Sequence, residues 1–123
     1  MGKAANSSIS LKQIHVTDNF WNKYVHLVKD VIIPYQWDIL NDKLEDVETS
    51  HCIENFKIAA GEKEGEFQGA VFQDTDVAKW LEAVGFVLNY ERDEKLEELA
   101  DETIELIGRA QQPDGYLNTY FTI

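Results

Sequence analysis

The chain is poor in cysteine, proline and glycine, with one Cys, two Pro and seven Gly in 123 residues. A single cysteine excludes an intramolecular disulfide framework and a zinc finger built from clustered thiolates. With 44% hydrophobic residues and so few prolines and glycines, a collagen-like or disordered chain is also excluded. Because a lone thiol fits a reducing compartment, we expect a cytoplasmic location.

Positive charge is scarce as well: 11 Lys and Arg face 23 Asp and Glu, for a formal net charge of −12. Such a surface repels phosphates, so nucleic acids and membranes are not expected partners. The sequence lacks the roughly 18–20 consecutive apolar residues of a membrane-spanning helix. It also lacks the GxGxxG and Walker patterns that bind phosphates. We expect one domain, residues 9–123, after a small polar and disordered tail over residues 1–8.

Apolar residues recur with helical spacing in the first third of the chain. The stripe begins after Asp18, whose carboxylate is a suitable N-cap for a helix. Pro34 has no N–H and crowds the preceding turn, so it is predicted to stop or kink this helix. The stripe consists of Phe20, Tyr24, Leu27, Val28 and Val31.

Further helices are predicted downstream. Ser50 is expected to cap a short helix over residues 51–60. Two longer helices follow, capped by Asp74 or Thr75 and by Asp93. Because only a short turn separates these two helices, they are predicted to form an antiparallel hairpin. The fold class is therefore all-α, built from antiparallel helical hairpins.

Short extended segments are predicted near both ends. Residues 9–16 alternate imperfectly between apolar and polar side chains. Residues 112–115 have the composition of a β-turn, and residues 116–123 are rich in aromatic and β-branched side chains. A chain that ends on such residues without a partner strand is expected to be cut from a longer protein.

Three aspartates are candidates for chemistry on a sugar. Asp74 and Asp76 lie at the start of a predicted helix, and Asp114 lies in the predicted turn. Two carboxylates facing a cleft can act as acid and base on a glycosidic bond. The structural alternative, in which an aspartate caps the helix and Asp114 makes the turn, is favoured on residue preferences alone.

The remaining chemistry-bearing residues have simpler interpretations. His51 and Cys52 are adjacent, but a zinc site needs three or four ligands, so a packed histidine and a small apolar cysteine are favoured. Trp80 lies in the middle of an apolar stripe and is expected in the core. Tyr116 and Tyr120 follow a turn and are more open to a sugar ring.

Four blocks of sequence occur in one order between residues 14 and 123. They are VIIPYQW at 31–37 with ND at 41–42, NFKIAAG at 55–61, FQG at 67–69 with VFQDTDV at 71–77 and KWLEA at 79–83, and AQQPDGYLNT at 110–119. Together they resemble the β-L-arabinofuranosidase family of glycoside hydrolases.

The resemblance implies a fold and an activity. Members of this family have several hundred residues, with a catalytic (α/α)6 toroid followed by β-sandwich domains. This chain would form the first part of the toroid. The resemblance further implies a retaining exo-hydrolase that releases L-arabinofuranose from plant glycans, with a cysteine thiolate as nucleophile and a zinc ion held by a glutamate and cysteines. Zinc coordination would keep such a thiol deprotonated.

The resemblance assigns only a modest set of site residues to this chain. The family's catalytic residues and zinc ligands belong to a later part of the domain and have no counterpart here, so no catalytic or metal-binding residue is assigned. The positions that match motif residues, and that are expected to line or support an oligosaccharide pocket, are Gln73, Asp74, Asp76, Asp114 and Tyr116.

Two hypotheses about function follow. In the first, the chain is the N-terminal part of the catalytic domain and is inactive by itself. An incomplete toroid leaves apolar surface uncovered, so the isolated chain is expected to self-associate. In the second, the chain is a small non-catalytic helical binding or interaction module that uses residues 116–123 on a partner.

Overall fold

The computed structural model describes residues 9–123, and the tail predicted over residues 1–8 lies outside them. The described residues form helices and turns and no strand, which confirms the all-α prediction. None of the helices in this range is long and apolar enough to cross a membrane. The helices are α1 (Asn19–Leu27), α2 (Ile33–Leu40), α3 (Cys52–Ala59), α4 (Asp74–Tyr90), α5 (Glu94–Ala110) and α6 (Thr119–Thr122), with a π-helical turn at Val28–Ile32 and a 3-10 turn at Leu11–Gln13.

Helix α1, the π-helical turn and α2 form one continuous rod. Asp18 caps its start as predicted, since Asp18 Oδ1 accepts hydrogen bonds from the N–H groups of Phe20 and Trp21, both at 2.8 Å. Just before Pro34 the turn widens, and Ile33 N–H donates to a carbonyl five residues back. Proline offers no N–H to the carbonyl four residues earlier, and its ring crowds that turn. The wider turn relieves both problems, so the rod continues instead of stopping.

The acidic loop between α2 and α3 closes on itself. The prediction that Ser50 caps α3 is wrong, because His51 occupies the cap position with φ +56° and no side chain caps the helix. Instead Asp42 Oδ1 accepts hydrogen bonds from Ser50 N–H at 2.6 Å and from His51 N–H at 3.0 Å. One carboxylate thus fixes the entry into α3 from nine residues away.

Helices α4 and α5 form the predicted hairpin and pack against each other. Asp93 caps α5 as predicted, with Oδ1 accepting from Leu96 N–H at 3.1 Å. At the start of α4 the cap position is Gln73 and not Asp74 or Thr75. Gln73 has no side-chain bond to the helix, because its Oε1 accepts from Ala70 N–H at 2.8 Å in the preceding loop.

The core lies where α2 and α3 pack against this hairpin. Trp80 is at its centre, 1% exposed, with its indole Nε1–H donating to Ile33 O at 3.1 Å. The ring of Trp37 lies 4.5 Å from the Trp80 ring, between centroids. The other buried apolar residues are Ile33, Leu40, Cys52, Ile53, Phe56, Val77, Val84, Ala100, Leu106 and Ala110.

The extended segments predicted near the two ends are only partly present. Leu11–Gln13 is a 3-10 turn, and extended backbone follows at Ile14. The β-turn over residues 112–115 is confirmed, since Gly115 N–H donates to Gln112 O at 2.8 Å. Thr119–Thr122, however, is a helical turn, because Asn118 Oδ1 accepts from Phe121 N–H and caps it. Local capping outweighs the β preference of the aromatic and β-branched residues there.

Candidate functional site

The start of α4 is tied to the C-terminal segment by one carboxylate. Asp74 Oδ2 accepts a hydrogen bond from Thr119 N–H at 2.7 Å, and Asp74 Oδ1 accepts from Thr119 Oγ1 at 2.6 Å. Thr119 is 1% exposed, so both bonds are shielded from bulk water on one side. Charge-assisted hydrogen bonds of this kind are about twice as strong as neutral ones. Asp74 therefore acts as a clamp that fixes where the last segment lies.

The loop before α4 is held by side chains that bond to its backbone. Gln73 folds back to Ala70 N–H, and the carbonyl of Gln73 accepts from the Cys52 thiol at 3.2 Å. Gly69 adopts φ +92°, and a Cβ there would overlap Gln73 Oε1. Glycine at position 69 therefore supplies the positive φ, and it leaves room for the end of the Gln73 side chain, which a Cβ would displace from Ala70 N–H.

Asn55 holds the other end of this loop. Its side-chain Nδ2–H donates to Gln68 O at 2.8 Å, and its Oδ1 accepts from Gln68 N–H at 3.2 Å. Asn55 is 1% exposed, so its amide has exchanged water for one backbone unit. The two hydrogen bonds from the Asn55 amide to the Gln68 backbone fix the segment that leads to Gln73 and Asp74.

Asp76 lies apart from Asp74 although only one residue separates them. Two positions along an α-helix differ by about 200° around the axis, so their side chains leave on nearly opposite sides. Asp76 Oδ1 lies 3.1 Å from Lys79 Nζ and borders a shallow cleft with Gln36 and Ser50. The carboxylates of Asp74 and Asp76 therefore lie on different surfaces of the chain.

Asp114 and Tyr116 belong to the turn after α5. Asp114 Oδ1 accepts from Tyr116 N–H at 2.9 Å, while Tyr116 O accepts from Gln112 N–H at 2.8 Å. Both side chains are exposed. Asp114 thus has the turn-forming role of the structural alternative, with a second carboxylate oxygen for which no protein partner is found among residues 9–123.

Aromatic rings gather beside the clamp. The rings of Phe67 and Tyr120 meet edge to face with centroids 5.0 Å apart, and Phe121 adjoins Tyr120 at 4.8 Å. Tyr120 and Phe121 are 43% and 69% exposed. The C-terminal segment therefore presents exposed aromatic rings next to Thr119, the partner of Asp74.

Cys52 has the properties of a core residue. Burial raises the pKa of the thiol to about 12, and the nearby carboxylates of Asp74, Asp76 and Asp42 add to the rise, opposed by a backbone hydrogen bond at Val77. A thiol that stays protonated is neither a nucleophile nor a metal ligand. Within residues 9–123, moreover, no three His, Cys, Asp or Glu side chains come together as a metal site. The described residues therefore do not fit a zinc ion.

The sequence comparison decides the family. The profile of the β-L-arabinofuranosidase GH127 catalytic domain matches residues 13–123. The chain belongs to the GH127 β-L-arabinofuranosidase family. It is 41% identical, over 122 residues, to the non-reducing end β-L-arabinofuranosidase of Bifidobacterium longum subsp. longum. That alignment covers 89% of this chain and 18% of the relative.

Solved structures of GH127 proteins superpose on the chain. A β-L-arabinofuranosidase from Geobacillus stearothermophilus T6 matches with a TM-score of 0.88 at 62% identity, over 90% of this chain and 18% of that one. The GH127 β-arabinofuranosidase BT3674 matches with a TM-score of 0.79 at 31% identity, over 93% and 17%. The chain thus has the fold of one part of an (α/α) toroid, and it spans less than a fifth of the length of these relatives.

The structure brings together two of the five site residues named from the sequence, Gln73 and Asp74, around one loop and its clamp. It adds two partners that sequence reasoning missed, Asn55 and Thr119. An asparagine in the middle of a predicted helix is the signal that the sequence offers, because such an amide, once buried, has to find a partner outside the helix. Nothing in the sequence pairs Thr119 with a residue 45 positions earlier.

Proposed function

We propose that this chain forms scaffold and part of the pocket wall of a GH127 glycoside hydrolase. The whole enzyme would release L-arabinofuranose from glycans by a retaining mechanism. The observation that carries the proposal is the match to the Geobacillus relative, which combines 62% identity with a TM-score of 0.88 over 90% of the chain. At that identity the two chains share a backbone and most of their side chains.

The roles proposed for the site residues follow from their contacts. Asp74 and Gln73 are positioning residues, since their polar atoms are engaged by Thr119, Ala70 and Cys52. Tyr116 is proposed to contact sugar directly because its side chain is exposed next to a turn. Asp114 and Asp76 keep carboxylate oxygens on the surface that can accept from sugar hydroxyls.

The reacting groups are proposed to come from polypeptide other than residues 9–123. Cys52 is held protonated by burial, and the described residues do not gather the donors that zinc needs. If the whole enzyme holds zinc and a thiolate, as the family resemblance implies, both belong to the remainder of the domain. The chain by itself is therefore proposed to be inactive.

A chimera tests the proposal. The segment of the Geobacillus relative that matches this chain is replaced by residues 13–123, and hydrolysis of an aryl β-L-arabinofuranoside is measured. We expect the chimera to hydrolyse the substrate and the isolated chain to release no sugar. The matched control is Glu98→Gln on the exposed surface of α5, which leaves kcat/KM unchanged. A folded chimera without activity, or arabinose release by the isolated chain, would contradict the proposal.

Tyr116 gives a sharper test within the same chimera. Tyr116→Ala removes the ring and is expected to raise KM more than it lowers kcat, because stacking binds substrate and transition state alike. Tyr116→Phe keeps the ring and is expected to stay near the parent. Equal KM values for all three proteins would remove Tyr116 from the sugar contact.

Further partners and location are proposed on charge and exposure. The net charge of −12 argues against nucleic acids and anionic membrane surfaces, and the single Cys52 fits a cytoplasmic location. The isolated chain is proposed to self-associate, since many of its large apolar side chains are exposed. Passage through a heparin column without retention, even at low salt, tests the expectation that the chain does not bind polyanions. Fractionation of the expressing cells tests the cytoplasmic location.

A further inference from the structure

A polar cleft lies where the end of α2 meets the start of α4. Its volume is about 310 Å³, close to the lower limit of the roughly 300–1,000 Å³ found for small-molecule sites. A cleft of that size suits a single sugar unit better than a long chain of sugars. The residues that line it are Gln36, Ile39, Leu40, Ser50, Asp76 and Lys79.

Ser50 is the residue of this cleft that indicates a ligand. It is only 7% exposed, and its backbone N–H donates to Asp42 Oδ1 at 2.6 Å. Its side-chain hydroxyl, in contrast, has no hydrogen-bond partner among residues 9–123. Because buried hydroxyls in proteins are nearly always paired, the Ser50 hydroxyl needs a partner that enters the cleft.

The loop before α3 holds Ser50 in this position. Asp42 and His51, near the two ends of that loop, both have φ +56°, an angle that residues other than glycine rarely adopt. Asp42 Oδ1 accepts from the N–H groups of both Ser50 and His51, so one carboxylate offsets this strain and fixes the loop. A binding group whose position is fixed in advance loses less conformational entropy when its ligand binds.

The charges around the cleft favour a neutral ligand. Asp76 Oδ1 lies 3.1 Å from Lys79 Nζ, so the carboxylate and the ammonium group of the lining compensate each other. An anion would meet a chain with a net charge of −12, and a metal ion would find one carboxylate that is already paired. The amide of Gln36 can both donate and accept. A neutral molecule with several hydroxyl groups matches this set, and Ile39 and Leu40 add apolar surface for its C–H groups.

A larger cleft of about 540 Å³, between α2, α3 and α5, lacks the feature that Ser50 provides. Its buried hydroxyl, Thr103 Oγ1, donates to Leu99 O at 2.7 Å. The guanidinium group of Arg109, which also lines it, donates to Glu62 Oε1 at 2.6 Å. These groups are satisfied within the chain, so the size of that cleft does not by itself indicate a ligand.

We propose that the cleft of Ser50, Gln36 and Asp76 binds one sugar unit of the glycan, with the Ser50 hydroxyl and the Gln36 amide as contacts to sugar hydroxyls. The inference rests on the proposed function, because it takes a glycan as the substrate of the whole enzyme. The sugar unit is either the terminal arabinose or the sugar next to it. Both present the same hydroxyl chemistry, and the choice of substrate in the assay distinguishes them.

Kinetics of the chimera described above test the cleft. Ser50→Ala removes the hydroxyl with little change in volume, and we expect it to raise KM about 2- to 10-fold with kcat nearly unchanged, as the loss of one neutral hydrogen bond to the substrate predicts. Gln36→Ala is expected to act in the same direction. The matched control is Thr17→Val, which removes an exposed hydroxyl outside the cleft and should leave KM unchanged.

Two substrates identify the sugar unit. A higher KM for both an aryl β-L-arabinofuranoside and a β-L-arabinofuranosyl disaccharide assigns the cleft to the terminal arabinose. A higher KM for the disaccharide alone assigns it to the neighbouring sugar. Unchanged KM values for both substrates in Ser50→Ala and Gln36→Ala overturn the proposal.

Thermal unfolding of the same variants separates a sugar contact from a structural role. Because the Ser50 hydroxyl has no partner among the described residues, Ser50→Ala is expected to leave the Tm of the chimera unchanged or to raise it. A Tm lowered by several degrees with an unchanged KM would show that another part of the domain fills the cleft, and it would overturn the proposal.

A folded but inactive chimera would refute the proposed function and would leave the cleft to a direct binding measurement. The isolated chain is then titrated with L-arabinose and followed by nuclear magnetic resonance. The side-chain amide signals of Gln36 are expected to shift in the parent and to shift less in Ser50→Ala. Signals that do not move in the parent would overturn the sugar site.

Discussion

The two ends of the N-terminal helical rod have opposite environments although both are rich in aromatic residues. In α2 and its partner helices, Trp37 and Trp80 stack in a core where Trp80 is 1% exposed and its N–H is paired. In α1, Phe20, Trp21 and Tyr24 make similar ring contacts while all three are exposed. The difference shows that an amphipathic sequence is enough to form a helix. Its aromatic side chains become buried only where the helix packs against a second element.

The same difference divides the chain into a well-packed half and an open half. The well-packed half carries the loop and clamp around Asp74, where buried side chains fix backbone positions. The open half carries large apolar side chains that stay exposed, among them Phe20, Trp21 and Tyr24. A segment that spans under a fifth of its relatives can hold its own core and still present a large surface for another subunit or domain.

Replacing one tryptophan in each half gives the largest expected contrast. Trp80→Ala is expected to lower the free energy of unfolding by about 3–5 kcal/mol, because it leaves a cavity at the centre of the core. Trp21→Ala is expected to change it by less than about 0.5 kcal/mol. Urea unfolding at low protein concentration, followed by circular dichroism, measures both. Trp80→Phe serves if the alanine variant does not fold. Equal losses at the two sites would show that α1 is part of the core.

The Asp74 clamp gives the next effect. Asp74→Ala removes two charge-assisted hydrogen bonds to Thr119, and we expect a loss of about 1.5–3 kcal/mol in the free energy of unfolding. Asp76→Ala, two residues along the same helix, is the matched control. Among the described residues Asp76 forms an ion pair with exposed Lys79, and together with the helix dipole this is expected to contribute less than about 1 kcal/mol. In a double-mutant cycle Asp74→Ala and Thr119→Val should be strongly non-additive. Additive losses would mean that the two side chains act separately.

Asn55 tests how far the loop depends on a single amide. Asn55→Ala is expected to cost about 1–3 kcal/mol, toward the lower end because the Gln68 backbone can turn to water. Hydrogen exchange of the Gln68 amide should accelerate relative to amides of α5. Asn89→Ala, at an exposed position near the end of α4, should change neither quantity. An unchanged exchange rate at Gln68 would show that the loop holds its position without Asn55.

Local rules predicted the elements where one residue decides the structure. Asp18 and Asp93 cap helices as expected, since a carboxylate needs only the next turn as its partner. Ser50 does not cap α3, because the carboxylate of Asp42 accepts the hydrogen bonds from the N–H groups of Ser50 and His51. The C-terminal helical turn was missed because Asn118 supplies a cap that β propensity does not describe.

The site was predicted only as a list of positions. Gln73 and Asp74 were named from motif resemblance, but their partners Cys52 and Thr119 lie 21 and 45 residues away along the chain. No periodicity relates positions that far apart, because tertiary packing sets their distance. Whether Asp76, Asp114 and Tyr116 touch a sugar stays a prediction, although the exposure of Tyr116 is what such a contact needs.

The titration of Cys52 is expected to change the free energy of unfolding little at neutral pH. It is nevertheless the sharpest test of whether water reaches the core of the packed half. Its pKa is raised from 9.0 to about 12 in the folded chain, so folding favours the protonated thiol. This contribution to stability is fully present below pH 9 and is lost as pH rises toward 12, where unfolding releases the proton. Compared with Cys52→Ala, the parent should therefore lose more of its unfolding free energy across that range. At pH 8 a disulfide reagent should label Cys52 far more slowly than in the urea-unfolded chain, which is its internal control. Rapid labelling without unfolding would place water at the thiol and would remove the contrast between the two halves of the molecule.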